Sequence, residues 1–207
     1  MPHLLTLPDG REVDLDYFIE WRPWLWRRPV REALRFLGDL DGKRVLEVGG
    51  RQARMASLFA LHGARVTMLE RRMPPEAQGE IETWGVADRV RLVETAGGFD
   101  EVAGERFDVL FTKSVLWSIE DLGGFLDALV PLLAPGGKVA FVENVRGGAL
   151  LFWLREHVRR EGCGYAQRYF GVRKDQIPLF RERFRDVRAR RYRFLVWCIR
   201  GLAGETV

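Results

Sequence analysis

The stretch "RVLEVGGRQARMA", residues 44–56, decides the fold of this chain. A short apolar run ends in two adjacent glycines, Gly49 and Gly50, and a pattern typical of a helix follows them. Paired glycines let the backbone turn sharply and approach a ligand, with the free N–H groups of the next helix behind them. The stretch therefore predicts a strand, a ligand-binding turn and a helix.

The same alternation continues along the chain. Nearly continuous runs of Val, Leu and Phe suit strands covered on both faces, and amphipathic stretches separate them. One such stretch carries leucines at helical spacing up to Leu133, where "APGGK" (134–138) ends the helix and turns the chain into the next strand. Repeated strand–helix units predict a doubly wound α/β sheet with helices on both faces. The five runs are 44–49, 64–69, 89–94, 107–112 and 138–143.

The two ends of the chain depart from this rhythm. "DVRARRYR" (186–193) and "FLVWCIR" (194–200) lie too close together for a helical crossover, so they predict an antiparallel pair at a sheet edge. The other predicted elements are one or two helices over 14–37 interrupted near Pro23 and Pro29, a helix over 148–160 and a short helix around 174–183.

Composition indicates one soluble cytoplasmic domain. A chain of 207 residues is long enough to bury a core, and no uncharged apolar run approaches the ~18 residues of a membrane span. The first residues meet Asp and Gly too soon to hold a signal peptide. Two isolated cysteines, Cys163 and Cys198, form neither a disulfide framework nor a metal-binding pair, so we expect no metal. The net charge of +4 is mild.

Two acidic residues near the glycine turn indicate the kind of ligand. In an open α/β sheet, ligands bind beyond the carboxyl ends of the strands. Glu70 ends the second predicted strand, where a carboxylate can accept both hydroxyl protons of a ribose. Glu47, two residues before Gly49, would repel a pyrophosphate but suits a cationic amine, and Arg51 can meet a carboxylate. These residues predict a nucleoside ligand that carries an amino-acid moiety.

Over residues 41–144 the chain resembles the class I S-adenosylmethionine-dependent methyltransferases. "VLEVGGRQARMA" is similar to the family's glycine loop, and "VTMLE" to its second strand with the ribose-binding acid. "FDVLFTKSVLWSIEDLGGFLDALVPLLAPGGKVAFVEN" is the most specific match. The chain departs from the family at Arg51 and Ala53, where glycine is usual, and at Thr95, where an aspartate often contacts adenine.

The resemblance implies one methyltransferase domain with a seven-stranded sheet in the order 3-2-1-4-5-7-6. Within it, 1–40 is an N-terminal helical lid, 41–144 the cofactor-binding core and 145–207 the substrate-side helices and final strand pair. The implied cofactor is S-adenosylmethionine. Its predicted contacts are Tyr17, Glu47, Gly49, Gly50, Arg51, Glu70, Arg71, Thr95, Ala96, Thr112, Lys113 and Ser114.

For catalysis the sequence offers two candidates, Glu143 and His157. Glu143 closes the fifth predicted strand, where it can deprotonate an acceptor or hydrogen-bond the next loop. His157 shares a helix face with apolar residues, which favours packing. Methyl transfer in line needs no covalent enzyme intermediate, so alignment can supply much of the acceleration. The predicted substrate-binding residues are Trp117, Asn144, Tyr165 and Tyr169.

We expect a small-molecule methyl acceptor at an oxygen, nitrogen or carbon atom, and two rivals stay open. An RNA methyltransferase would use the seven arginines within 181–193, but the motif for a base amine after the fourth strand is replaced by "TKSVLW". Nucleic acid is therefore the less favoured partner. A non-catalytic binding protein could also retain the fold. A homodimer is left open.

Overall fold

Seven strands form the central sheet in a computed structural model that describes residues 3–146, 170–193 and 195–204. The predicted helix over 148–160 lies outside these residues. The strands are β1 Leu4–Thr6, β2 Glu12–Asp14, β3 Arg44–Val48, β4 Arg65–Glu70, β5 Val90–Glu94, β6 Phe107–Lys113, β7 Leu133–Asn144, β8 Arg185–Tyr192 and β9 Val196–Leu202. The helices are α1 Leu15–Ile19, α2 Pro23–Leu37, α3 Arg54–Leu61, α4 Glu76–Thr83, α5 Leu122–Leu129 and α6 Ile177–Arg183.

The order of the sheet is β5-β4-β3-β6-β7-β9-β8. Strands β3 to β7 pair in parallel, whereas β9 is antiparallel to both β7 and β8. Counted from β3, this is the predicted order 3-2-1-4-5-7-6. The predicted fold class and the predicted antiparallel pair at the edge are confirmed.

Alternate residues of each strand enter two different apolar layers. Val45 packs into the layer that includes α1, α2, α3 and α4, whereas Leu46 packs into the layer of α5 and α6. In β7, Val142 belongs to the first layer and Phe141 to the second. Since side chains alternate along a strand, Glu47 lies on the first face and Glu143 on the second.

Helix α2 runs without interruption through Pro29, contrary to the predicted break there. An internal proline costs about 3 kcal/mol because one intrahelical hydrogen bond is lost. Trp26, Val30 and Leu37 are all at most 1% exposed, and burying each such side chain gains about 1.5–3 kcal/mol. Burial therefore outweighs the proline. Near Pro23 the predicted interruption is observed, because α1 ends at Ile19 and Pro23 begins α2.

Two local features were not predicted. Residues 4–14 form a β1–β2 hairpin, so the first 40 residues are not entirely helical. The signal was present, because Pro8-Asp9-Gly10 is a typical turn sequence. The predicted turn over 134–138 is instead part of β7, where the register against β6 shifts between Phe107 and Val109. Over this interval β7 contains more residues than β6, and the additional residues form a bulge.

Side chains from the sheet hold α2 along its length. Lys138 Nζ donates to the carbonyls of Phe36 and Leu37 at 3.0 and 2.7 Å, at the C-terminus of the helix. Glu32 in the helix accepts a hydrogen bond from Tyr192 and forms an ion pair with Arg200 at 2.8 Å. Among the described residues, neither α2 nor any other helix is long and apolar enough to cross a membrane.

Candidate functional site

The carboxyl ends of the parallel strands bring most of the predicted residues to one edge of the sheet. The turn after β3 carries Gly49, β4 ends at Glu70, β6 ends at Lys113 and β7 ends at Asn144. These strands are neighbours in the order β4-β3-β6-β7. The residues therefore line one edge, where ligands of this fold bind.

Glu47 is a buried carboxyl group with one oxygen that lacks a hydrogen-bond partner among the described residues. Its residue is 2% exposed, and Oε2 has no hydrogen-bond partner among the described residues. Burial raises the pKa of Glu47 to about 8, the nearby Lys113 ammonium lowers it and the Glu70 carboxylate raises it further. An unpaired buried carboxylate is costly, so this position favours a cation that can reach it.

The turn after β3 leaves no space for side chains. A Cβ on Gly49 would lie 2.4 Å from Val115 Cγ2, and Gly49 has a φ of 75°. A Cβ on Gly50 would lie 2.3 Å from Met68 Sδ and 2.9 Å from Glu47 Cδ. Internal packing alone therefore requires both glycines. The glycines by themselves do not indicate a ligand; they do so only in combination with Glu47.

Two backbone N–H groups orient Glu70 at the end of β4. Arg51 N–H donates to Oε2 at 3.0 Å, and Arg71 N–H donates to Oε1 at 2.9 Å. Each oxygen keeps a further lone pair for hydroxyl donors. Because both oxygens are held at the strand end, the carboxylate is suited to a ligand with two adjacent hydroxyls.

The loop between β3 and α3 contains two strained residues. Arg51 has a φ of 47° and Ala53 a φ of 61°, both in the left-handed region that favours glycine. The departures from the family pattern at these positions therefore keep a glycine-like backbone with other side chains. Ala53 is fully buried, whereas Arg51 is exposed, and no hydrogen bond of its guanidinium is observed in the described structure.

Lys113 connects this edge to the N-terminal segment. Its Nζ donates to the Ile19 carbonyl at 3.1 Å and lies 5.7 Å from the centre of the Trp26 ring. Burial lowers the pKa of Lys113, opposed by the nearby carboxylates of Glu20, Glu47 and Glu143. The end of α1 is therefore fixed over the end of β6.

Tyr17 lies on the outer side of the same segment. Its hydroxyl donates to Glu80 at 2.7 Å, its ring packs on Trp84, and Arg54 stacks on the ring at 4.5 Å while donating to the Tyr17 carbonyl. Burial raises the pKa of Tyr17. These contacts join α1 to α3 and α4, so they close one side of the glycine turn.

The turn after β5 uses its own hydroxyl internally. Thr95 Oγ1 donates to the Gly98 carbonyl at 2.9 Å and accepts from Gly97 N–H at 3.2 Å. Ala96 is exposed beside it. Arg71 reaches this turn, with its Nε 3.6 Å from where a Gly97 Cβ would be. The ends of β4 and β5 thus form one continuous rim.

Glu143 is buried and fully hydrogen-bonded. Oε1 accepts from Thr112 Oγ1 at 2.6 Å, and Oε2 accepts from the N–H groups of Val115 and Leu116 at 2.8 and 2.9 Å. Burial raises the pKa of Glu143 to about 7, and these hydrogen bonds oppose the rise. Of the two roles expected from the sequence, the structure realises the hydrogen bond to the next loop.

Ser114 and Asn144 are joined across β6 and β7. Asn144 Nδ2 donates to Ser114 Oγ at 2.7 Å, and Ser114 has a φ of 60°. The Trp117 carbonyl accepts from Phe170 N–H at 2.7 Å. The segment that follows residue 169 therefore returns to the loop after β6. His157, Tyr165 and Tyr169 lie outside the described residues.

Sequence reasoning missed two contributors to the site. Met68 lies under Gly50, and Val115 packs against Gly49. Met68 pairs with Glu47 in the register of β3 and β4, so the sheet order would have revealed it. For Val115 the sequence carries no such local signal.

Comparison with known proteins agrees with this geometry. A family model described as a methyltransferase domain matches residues 18–193. The ubiquinone biosynthesis O-methyltransferase of Pseudomonas putida is 32% identical over 105 residues, which are 50% of this chain and 45% of that protein. The chain thus spans about half the length of the curated relatives it matches.

Two solved structures share the fold. N-methyltransferase NodS from Bradyrhizobium japonicum, in complex with S-adenosylhomocysteine, superposes with a TM-score of 0.64 at 20% identity over 90% of this chain and 91% of that one. The 1,6-didemethyltoxoflavin-N1-methyltransferase of Burkholderia thailandensis, with 1,6-didemethyltoxoflavin and S-adenosylhomocysteine bound, gives 0.64 at 22% identity over 92% and 85%.

The chain belongs to the methyltransferase domain family. The resemblance to methyltransferases stated from the sequence is confirmed at the level of this family, and the two neighbours of the same fold contain bound S-adenosylhomocysteine.

Proposed function

We propose that this chain transfers a methyl group from S-adenosylmethionine to a small-molecule acceptor. The observation that carries the proposal is the buried Glu47 carboxylate, with Oε2 unpartnered at the carboxyl edge of the sheet. A carboxylate in that place stabilises a cationic amine and disfavours a pyrophosphate. S-adenosylmethionine combines such an amine with a ribose, for which Glu70 is oriented by two N–H groups.

Each residue at this edge would then bind one part of the cofactor. Glu47 would hold the amino group, Glu70 the ribose hydroxyls, and Arg51 the carboxylate of the methionyl moiety. Arg71, Thr95 and Ala96 form the rim expected to contact adenine, with the Thr95 hydroxyl engaged inside its own turn. The inner wall of the site is Gly49, Gly50, Thr112, Lys113 and Ser114, and Tyr17 helps to close it.

The protein's part in the reaction is alignment and exclusion of water. The bound cofactor supplies a methyl group on a sulfonium centre. Lys113 fixes α1 over the edge, and Glu143 fixes the loop after β6, so the acceptor would meet rigid walls. Among the described residues we assign no general base, because Glu143 has its oxygens engaged. An acceptor atom that need not lose a proton during the transfer requires no base.

The names of relatives support a small acceptor. One relative acts in ubiquinone biosynthesis, and one structural neighbour binds 1,6-didemethyltoxoflavin. Trp117 and Asn144 are the proposed acceptor contacts within the described residues, and Tyr165 and Tyr169 remain proposed outside them. We also propose the three-part division of the domain at 40 and 144.

Titration calorimetry with S-adenosylhomocysteine, NAD and ATP tests the proposal. We expect S-adenosylhomocysteine to bind tightest, because Glu47 would repel the pyrophosphate of NAD. In the Glu70→Ala variant the affinity should fall at least about tenfold, since charge-assisted hydrogen bonds contribute about 1.5–3 kcal/mol each. Tighter binding of NAD would contradict the proposal. Transfer of label from methyl-labelled S-adenosylmethionine to metabolite pools would then find the acceptor.

A further inference from the structure

A surface of exposed tryptophans and arginines lies beside the site. Of the five large apolar side chains that are exposed in the described chain, four lie between residues 4 and 24. The two most exposed are Trp21 at 58% and Trp24 at 51%. Indole side chains are rarely this exposed on an ordinary solvated surface, so the region around Trp21 and Trp24 differs from one.

Arginines surround both indoles. Arg22 lies 4.3 Å from the Trp21 ring centre, and Arg193, in the turn between β8 and β9, lies 5.5 Å from that of Trp24. Arg28 follows Trp24 by four residues in α2, which places it on the same helix face. In the structure as described, Arg22, Arg28 and Arg193 have no carboxylate partner.

This patch, formed by Trp21, Trp24, Arg22, Arg28 and Arg193, projects at the same edge as Glu47. Tyr192 pairs with Val196, and Val196 pairs with Asn144 at the end of β7, so the β8–β9 turn lies at the carboxyl edge. Trp21 sits in the short linker between α1 and α2, where Glu20 and Arg22 have φ values of 69° and 51°. The fold thus holds Trp21 outward on a strained backbone.

We propose that the patch binds the surface of an anionic phospholipid membrane. Indole rings favour the boundary between water and lipid, and unneutralised arginines are attracted to anionic headgroups. The patch is carried by a helix start and a hairpin turn, which protrude. Single-stranded RNA would need a groove with open aromatic faces, whereas both indoles already carry a guanidinium.

Vesicle sedimentation and tryptophan fluorescence test this inference with the full chain. The probes are vesicles of phosphatidylcholine alone and vesicles that also contain phosphatidylglycerol. We expect binding only to the anionic vesicles, weakened by salt, with a blue shift of the emission. The Trp21→Ala/Trp24→Ala variant should lose the shift and bind at least about tenfold more weakly.

A charge-matched control separates the patch from net charge. Arg22→Glu/Arg28→Glu/Arg193→Glu should weaken binding to anionic vesicles at least about 100-fold. Each arginine near an anionic membrane surface strengthens binding about fivefold, so the three together account for this factor. Arg35→Glu/Arg65→Glu/Arg106→Glu makes the same charge change with exposed residues elsewhere, and it should retain most of the binding. Thermal unfolding checks that every variant is folded.

The inference would be overturned by no preference of the wild type for anionic vesicles, by an equal loss in the control variant, or by binding of single-stranded RNA instead of vesicles. A dimer in solution that the tryptophan variant dissociates would also overturn it, in favour of a second copy. An acceptor dissolved in the membrane would reach the cofactor edge directly. That last step rests on the proposed function, whereas vesicle binding is independent of cofactor titration, so the two can fail separately.

Discussion

Two buried glutamates on opposite faces of the sheet differ in how well their oxygens are satisfied. Glu47 is 2% exposed and Glu143 is 0% exposed, and burial raises their pKa values to about 8 and about 7. Glu143 accepts one hydrogen bond from Thr112 in β6 and two from the loop after β6, whereas Oε2 of Glu47 accepts none from the described residues.

The difference separates a structural carboxylate from one that awaits a ligand. Burial and a raised pKa are common to both, so neither property identifies a binding residue. Buried polar groups in proteins are normally hydrogen-bonded, and an exception needs a reason. At Glu47 the reason we propose is a cationic amine, while Glu143 needs no ligand to be stable.

The largest expected effect tests the structural half of this comparison. Glu143→Ala leaves the Thr112 hydroxyl and the N–H groups of Val115 and Leu116 without an acceptor. We expect a loss of about 3–5 kcal/mol in the free energy of unfolding, measured in urea. Glu143→Gln keeps an acceptor for the loop and should lose far less. If Glu143→Ala unfolds at the wild-type urea concentration, the loop is not held by this carboxylate.

The next effect tests the ligand half. Glu47→Gln should weaken binding of S-adenosylhomocysteine by about 1.5–3 kcal/mol, because a charge-assisted hydrogen bond becomes neutral. The pKa of Glu47 is raised from 4.5 to about 8, so its ionisation destabilises the free protein as pH rises through that window. The variant should therefore be as stable as the wild type at neutral pH, or more stable. A large loss of stability with unchanged affinity would reverse the roles of the two glutamates.

The dependence of affinity on pH sharpens the same contrast. Below about pH 8 the free Glu47 is protonated, and binding an ammonium group requires it to release its proton. The affinity for S-adenosylhomocysteine should therefore rise up to about tenfold per pH unit from about pH 6 towards pH 8. Calorimetry in buffers of different ionisation enthalpy should record the released proton. Glu47→Gln serves as the control, and a slope that persists in it would assign the proton to another group.

The smallest effect concerns the strained loop after β3. Arg51→Gly removes a side chain from a left-handed residue, and we expect a gain of about 1 kcal/mol in the free energy of unfolding. Ala53→Gly should gain less, because it also removes a buried methyl group. If Arg51 holds the cofactor carboxylate, its variant should bind about 1–2 kcal/mol more weakly. Stronger or equal binding would show that this arginine has no part in the site.

The features that sequence predicted are those set by local spacing. The alternation of runs predicted the doubly wound sheet, the family resemblance implied its strand order, and the offsets of Glu47 and Glu70 from Gly49 predicted their meeting at one edge. What sequence did not predict depends on tertiary contacts. Pro29 stays helical because its neighbours are buried, and the choice between two roles for Glu143 depended on a loop 27 residues away in sequence.

The contacts of Glu32 also bear on how the chain folds during synthesis. Its partner Tyr192 lies 160 residues later, and α2 cannot complete its packing until that residue has left the ribosome. At about 5–20 residues per second, this delay is roughly 8–32 s. Throughout it, one apolar side of α2 is without β9 to cover it. Nascent chains halted before β9 should therefore be preferred substrates of chaperones and proteases, whereas chains halted after it should resist both.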